Sequence, residues 1–120
     1  MDTFITLGIT LFAELLAFLL LIIRKIPKNH IINWIFFIIG LNLLTNPLAQ
    51  MFYSSLKILN IPGLDWLITE ILVILGEAVL IYGIMRQSFQ RALLYSMLLN
   101  VTSILVGALL CWSNILPWCY

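Results

Sequence analysis

Charge is what this sequence lacks most: charged residues make up 9% of its 120 positions, where a soluble domain carries about a quarter. Apolar residues make up 63% and mean hydropathy is +1.14. A surface that apolar cannot stay dispersed in water, so an ordinary soluble globule is excluded and lipid is the expected solvent. Histidine is also scarce: the single His30 lies among basic residues, and one histidine supplies neither a zinc set nor haem ligation. No Walker loop and no Ser–His dyad occurs, which argues against an enzyme and leaves no cofactor to expect. A formal net charge of +1, with no basic run outside the connections, gives nucleic acid nothing to hold.

The start, Met1-Asp2-Thr3, lacks the positive region of a secretory signal, and no small-residue cleavage pattern follows the first apolar run. That run is read as a retained helix, and the whole chain, 1–120, as one domain. A spanning helix needs roughly 20 apolar residues, and four such stretches occur, at about Phe4 to Ile23, Ile31 to Leu48, Asp65 to Met85 and Arg91 to Trp112. The expected fold is therefore all-α, an integral membrane four-helix bundle. Between the second and third spans, Met51, Phe52, Tyr53, Leu56, Ile58 and Leu59 are too apolar for a solvated loop. They predict a short amphipathic helix lying in the interface, followed by the turn formers Asn60, Pro62 and Gly63. Asp65 is the expected N-cap of the third span, beside an interfacial Trp66.

Basic residues are distributed unevenly. Arg24, Lys25, Lys28, Arg86 and Arg91 share one side of the expected topology, and only Lys57 falls on the other. The positive-inside rule makes the basic side cytoplasmic and both termini extracytoplasmic, with a single orientation. Tyr53, Trp112, Trp118 and Tyr120 then become anchors at the outer interface.

The informative residues are polar ones within the spans: Glu14 in the first, Asn42, Thr45 and Asn46 in the second, Glu70 and Glu77 in the third, and Ser96, Asn100, Thr102 and Ser103 in the fourth. At ~1.5 Å of rise per residue, Glu14, Asn42, Glu77 and Asn100 all fall roughly 14–18 Å from their helix starts, near the midplane. Glu70, Asn46, Thr45 and Ser103 form a shallower layer on the outer side. Glu70 and Glu77 share a helix face, as do Asn42 and Asn46. Pro47 removes a backbone donor, and the carbonyl it releases needs an internal partner or a wet cavity. Asn46-Pro47 reads either as a kink shaping such a cavity or as a helix end.

An acid at a helix centre costs about 2.5–3.5 kcal/mol on insertion scales, and no Lys or Arg lies within the spans to offset Glu14, Glu70 and Glu77. The acids are expected either protonated and hydrogen-bonded to the amides or ionised around a cation. The sharper reading is a proton-, ion- or substrate-binding site made of Glu14, Glu70, Glu77, Asn42, Asn46 and Asn100, with Thr45, Pro47, Ser96 and Ser103 in support. The plainer one is interhelical glue. Gly8, Gly40, Gly76 and Gly107 read as small residues that let backbones approach. Cys111 and Cys119 fall near the outer side, as a disulfide or as two free thiols. The sequence leaves open whether any metal is bound.

Two stretches, Leu41-Asn42-Leu43-Leu44-Thr45-Asn46-Pro47 and Glu70 through Glu77-Ala78, followed by Arg91-Ala92 with Ser96, Asn100, Ser103 and Gly107, resemble a group of uncharacterised small prokaryotic four-span membrane proteins. That group carries Thr-His-Pro where this chain has Thr45-Asn46-Pro47. The resemblance implies a shared polar core in a prokaryotic plasma membrane and brings no activity with it. A narrower likeness, Leu7-Gly8 with Ala13-Glu14, is similar to the first helix of small multidrug resistance transporters, whose membrane-embedded Glu binds protons and cationic drugs. The combined expectation is a small transport or channel-type protein working as a homo-oligomer or with a partner membrane subunit. The alternative is a non-catalytic accessory or scaffold subunit.

Overall fold

The computed structural model describes residues 3–61 and 63–113. Four long helices account for most of them. Helix α1 runs over Thr3–Ala17 and continues through a π turn, Phe18–Ile22, and a 3-10 turn, Ile23–Lys25. Helix α2 spans Ile31–Leu56, α3 Leu64–Ile84 and α4 Phe89–Trp112. Each is long and apolar enough to cross a membrane. Consecutive helices run antiparallel through short connections, and α1 closes the ring by packing along α4. The bundle's outer surface is apolar all round: Phe12, Leu20, Phe36, Leu44, Val79 and Leu105 are exposed. Monomers in water rarely carry contiguous apolar surface on this scale, and four such helices are consistent with an integral membrane protein.

Local chemistry explains most helix ends. Ser88 caps α4, its hydroxyl accepting from the Arg91 amide at 3.4 Å, and Asn60 closes the α2 end in the left-handed conformation, φ 52°, where asparagine is tolerated. The N-cap of α3 is Gly63, at φ 81°, rather than Asp65. Asp65 lies inside the first turn and accepts from the Trp66 amide at 2.8 Å, still offering negative charge to the helix's positive end. The π turn of α1 keeps Phe18 and Ile22 both buried.

Two further expectations are corrected. Among the described residues there is no separate α-helix between the second and third spans: α2 continues through Pro47 to Leu56, and Lys57–Leu59 forms a distinct 3-10 turn. Asn46 and Gln50, bonded four apart at 3.1 Å, and Ser55, bonded back to the Met51 carbonyl at 3.0 Å, lie on its extension. Between Pro47 and Asn60 no further breaker occurs, so a helix that has absorbed Pro47 has no reason to stop. Asn46-Pro47 is therefore mid-helix and not a helix end. Nor do the glycines mediate close packing: a Cβ placed at Gly8, Gly40, Gly76 or Gly107 meets nothing within 4 Å. Gly40→Ala should therefore leave stability unchanged or raise it by roughly 0.5–1 kcal/mol, whereas Gly63→Ala, forced to positive φ, should lose about 1–2 kcal/mol. Unfolding in detergent, followed by circular dichroism, compares the two. The expectations resting on Pro62, Trp118, Cys119 and Tyr120 lie outside the described residues.

The core is asymmetric along the bundle axis. Toward the end carrying Arg24, Lys25, Arg86 and Arg91 it is apolar and aromatic: Phe18, Ile22, Trp34, Ile38, Ile81, Tyr95 and Leu99 are all buried. Trp34 stacks on Phe18 with ring centroids 6.0 Å apart and meets Tyr95 edge-on at 5.8 Å. Toward the other end the interior is polar.

Candidate functional site: an acid-floored cup

Where the aromatic core stops, each helix contributes one polar side chain, and they meet as two pairs. Asn42 Nδ2 donates to Glu14 Oε2 at 2.6 Å, and Asn100 Nδ2 donates to Glu77 Oε2 at 2.6 Å. All four residues are at most 5% exposed. The second amide hydrogen of each asparagine goes to the carbonyl four residues earlier, of Ile38 at 3.0 Å and of Ser96 at 2.9 Å. Both hydrogens of each NH₂ group are thus used, one on its own helix and one on the neighbour. Those local bonds fix the asparagine rotamers and aim the remaining donor at the carboxylate.

Thr45 joins the second pair. Its hydroxyl oxygen lies 2.8 Å from the Leu41 carbonyl and 3.0 Å from Glu77 Oε1. One hydroxyl hydrogen cannot serve both. With Glu77 ionised, Thr45 donates to it. With Glu77 protonated, the acid donates to Thr45, and Thr45 donates to Leu41. The group is built to accommodate either state.

Above this floor lies a polar cavity of about 150 Å³. Glu14, Asn42, Glu77 and Asn100 line its base, and Thr45, Asn46, Glu70 and Ser103 line its walls, together with Thr6, Thr10 and Gln50. The lining residues lie at the floor or on its side away from the aromatic core, so the cavity is a cup closed on the core side. Of the expected site residues, Glu14, Glu70, Glu77, Asn42, Asn46 and Asn100 all line it, and so do Thr45 and Ser103. Ser96 does not: it is fully buried and donates to the Ile74 carbonyl at 2.7 Å, tying α4 to α3. Pro47 is exposed and outside the lining.

Thr6, Thr10 and Gln50 were missed by sequence reasoning, though their spacing carried a signal. Thr6, Thr10 and Glu14 are four apart on one face of α1, and Asn42, Asn46 and Gln50 are four apart on one face of α2. Weakly polar residues become informative once they fall in register with a buried acid.

The two pairs share one plan. In each hairpin a glutamate on the first helix receives an asparagine from the second. Counted from that asparagine, a hydroxyl residue stands three positions on, Thr45 or Ser103, and another cup-lining residue four on, Asn46 or Ile104. Counted from the glutamate, a lining residue stands four positions before, Thr10 or Val73. The α1–α2 and α3–α4 hairpins thus present equivalent sequence positions to the cup. Among the described residues, no group of three or more His, Cys, Asp or Glu side chains converges closely enough to hold a metal ion. No protein family, curated protein or solved structure matches this chain.

Proposed function

We propose that this chain is a membrane protein whose cup binds a proton or a small cation from one side of the bilayer, as the binding step of a transport cycle. The observation that carries the reading is the pair of Glu–Asn contacts at the floor of a polar cup, closed beneath by the aromatic core. Acids in a membrane interior are costly unless they do something, and here they line a cavity instead of facing lipid. A cup closed beneath by the core suits a carrier, which binds on one side and must rearrange to release on the other, better than an open channel. The charge bias of the connections supports an opening toward the extracytoplasmic side. A second copy or a partner subunit would supply the remaining wall of a longer path.

A scaffold role is the second reading, favoured by one observation: among the described residues, no buried side-chain polar atom lacks a hydrogen-bond partner. Reconstitution separates the two. Glu14→Gln and Glu77→Gln keep the shape of the pairs while removing the charge. Each is expected to fold and to weaken binding of a small monovalent probe, ethylammonium, by roughly ten- to a hundredfold, the worth of about 1.5–3 kcal/mol for a hydrogen bond to a charged group. Folded variants that bind and flux like the wild type would leave the scaffold reading standing.

A further inference from the structure

The cup shares a wall with a second, larger cavity. A groove of about 380 Å³ runs between α2 and α3 on the bundle surface, lined by apolar side chains that include Leu44, Leu48, Phe52, Leu72 and Leu80. Thr45, Ala49 and Val73 line both the groove and the cup. The matching cup positions on the two hairpins make the α2–α3 and α4–α1 seams counterparts, yet the two are packed differently. Helices α1 and α4 lie along each other more extensively than α2 and α3 do. The groove lies along the less closely packed α2–α3 seam, on the apolar outer surface of the bundle. Gly76, one residue before Glu77, helps to line the groove, and a Cβ there meets nothing within 4 Å.

We infer that the two cavities form one amphiphile site, the cup taking the amine headgroup of an ethanolamine-type bilayer lipid while its hydrocarbon chain lies in the α2–α3 groove. This rests on the cation reading of the cup and names its ligand. Charge complementarity argues for the amine: Glu14, Glu70 and Glu77 line the cup, and among the described residues no Lys, Arg or His lines it beside them. A primary ammonium brings three N–H donors to acceptor-only carboxylates, where a trimethylammonium brings none. The lipid phosphate, next along the headgroup, falls among the amide and hydroxyl side chains higher in the cup, Thr10, Asn46 and Gln50. The chain argues for a lipid over a soluble amine. A free cation would use only the polar cavity, whereas an apolar groove that shares Thr45, Ala49 and Val73 with that cavity lets the head pass between α2 and α3 while the chain stays in an apolar medium.

The test uses the full chain in nanodiscs of phosphatidylcholine doped with ethanolamine or glycerol lipids of the same acyl chains. Retained lipid is read by native mass spectrometry after detergent extraction, and ethylammonium binding is read in parallel. The wild type should retain the ethanolamine lipid about tenfold over the choline lipid, the preference coming from donor count. Gly76→Leu, which fills the groove, should lose the lipid and keep ethylammonium. Gly76→Ala, as the packing control, should keep both, and Glu77→Gln should lose both. Normal ethylammonium binding without headgroup preference, or lipid retention indifferent to Gly76→Leu, overturns the lipid while sparing the cation site. A dimer that Gly76→Leu dissociates, with no lipid retained, gives the groove to a second copy and likewise overturns it. A wild type that fails to bind ethylammonium sinks the cation reading itself.

Discussion

Trp34→Ala is expected to open the floor of the cup and make the protein leak. The indole is 2% exposed, stacked on Phe18 and met edge-on by Phe37 at 6.1 Å and by Tyr95. It is therefore the largest single piece of the plug beneath the Glu–Asn pairs. Truncating a buried aromatic of this size costs about 3–5 kcal/mol in transfer and cavity terms measured in soluble proteins. In a bundle the same change leaves a void directly under the polar cup. Water that reaches the acids from the mouth then has a path toward the basic end. Proteoliposomes loaded with a pH-sensitive dye should lose an imposed proton gradient faster with Trp34→Ala than with the wild type. Trp34→Phe, which keeps a ring in the stack, should stay tight and lose less stability. A folded Trp34→Ala protein as tight as the wild type would show that the seal lies elsewhere.

How much of this was legible beforehand depended on which physical constraint acted at each position. The four long apolar helices and the floor of the cup were legible because helices able to cross a membrane need apolar runs of fixed length, and acids within them need internal company. Glu14, Asn42, Glu77 and Asn100 fell at one depth by simple counting of rise, and the structure joins them. What counting could not supply was pairing. That Asn42 serves Glu14, and Asn100 serves Glu77, follows from which helices are neighbours and how each is rotated. The misreadings have a common source in weak local preferences. Asn46-Pro47 resembled a boundary, but a proline's missing donor is a local cost that a long helix absorbs. Asp65 resembled a cap, but Gly63 could adopt the positive φ that the chain needed there. The glycines resembled packing contacts, yet here the side chains of the helices, not their backbones, set the spacing. Thr6, Thr10 and Gln50 escaped notice because a threonine or glutamine within a span is unremarkable until its face is known.

The Glu77–Asn100 pair should behave as a unit, and its behaviour separates glue from site more sharply than loss of function alone. Asn100→Leu removes the Nδ2 donor that lies 2.6 Å from Glu77 Oε2, while the Ser96 carbonyl keeps its helical amide partner. The acid is left with Thr45 alone among its recorded donors. Leaving a buried acceptor short of a partner costs about 1–3 kcal/mol, so unfolding by SDS titration should show a loss of that order. Glu77→Leu alone should be milder, because an amide deprived of the carboxylate still keeps its bond to Ser96. The double variant, with apolar groups at both positions, should recover most of the loss, since replacing both partners of a buried bond is nearly neutral. The coupling energy from the cycle is expected at roughly 1–2 kcal/mol, the upper part of the range for interhelical bonds in membranes. The decisive comparison is then within the double variant. If the pair exists to hold helices, a protein with restored stability should keep whatever binding the wild type has. If the pair is the cup's floor, stability returns and ethylammonium binding does not. Repeating the cycle on Glu14 and Asn42 tests the equivalence of the two hairpins. A coupling of the same sign and similar size is expected there, because the same donor meets the same acceptor at the same 2.6 Å.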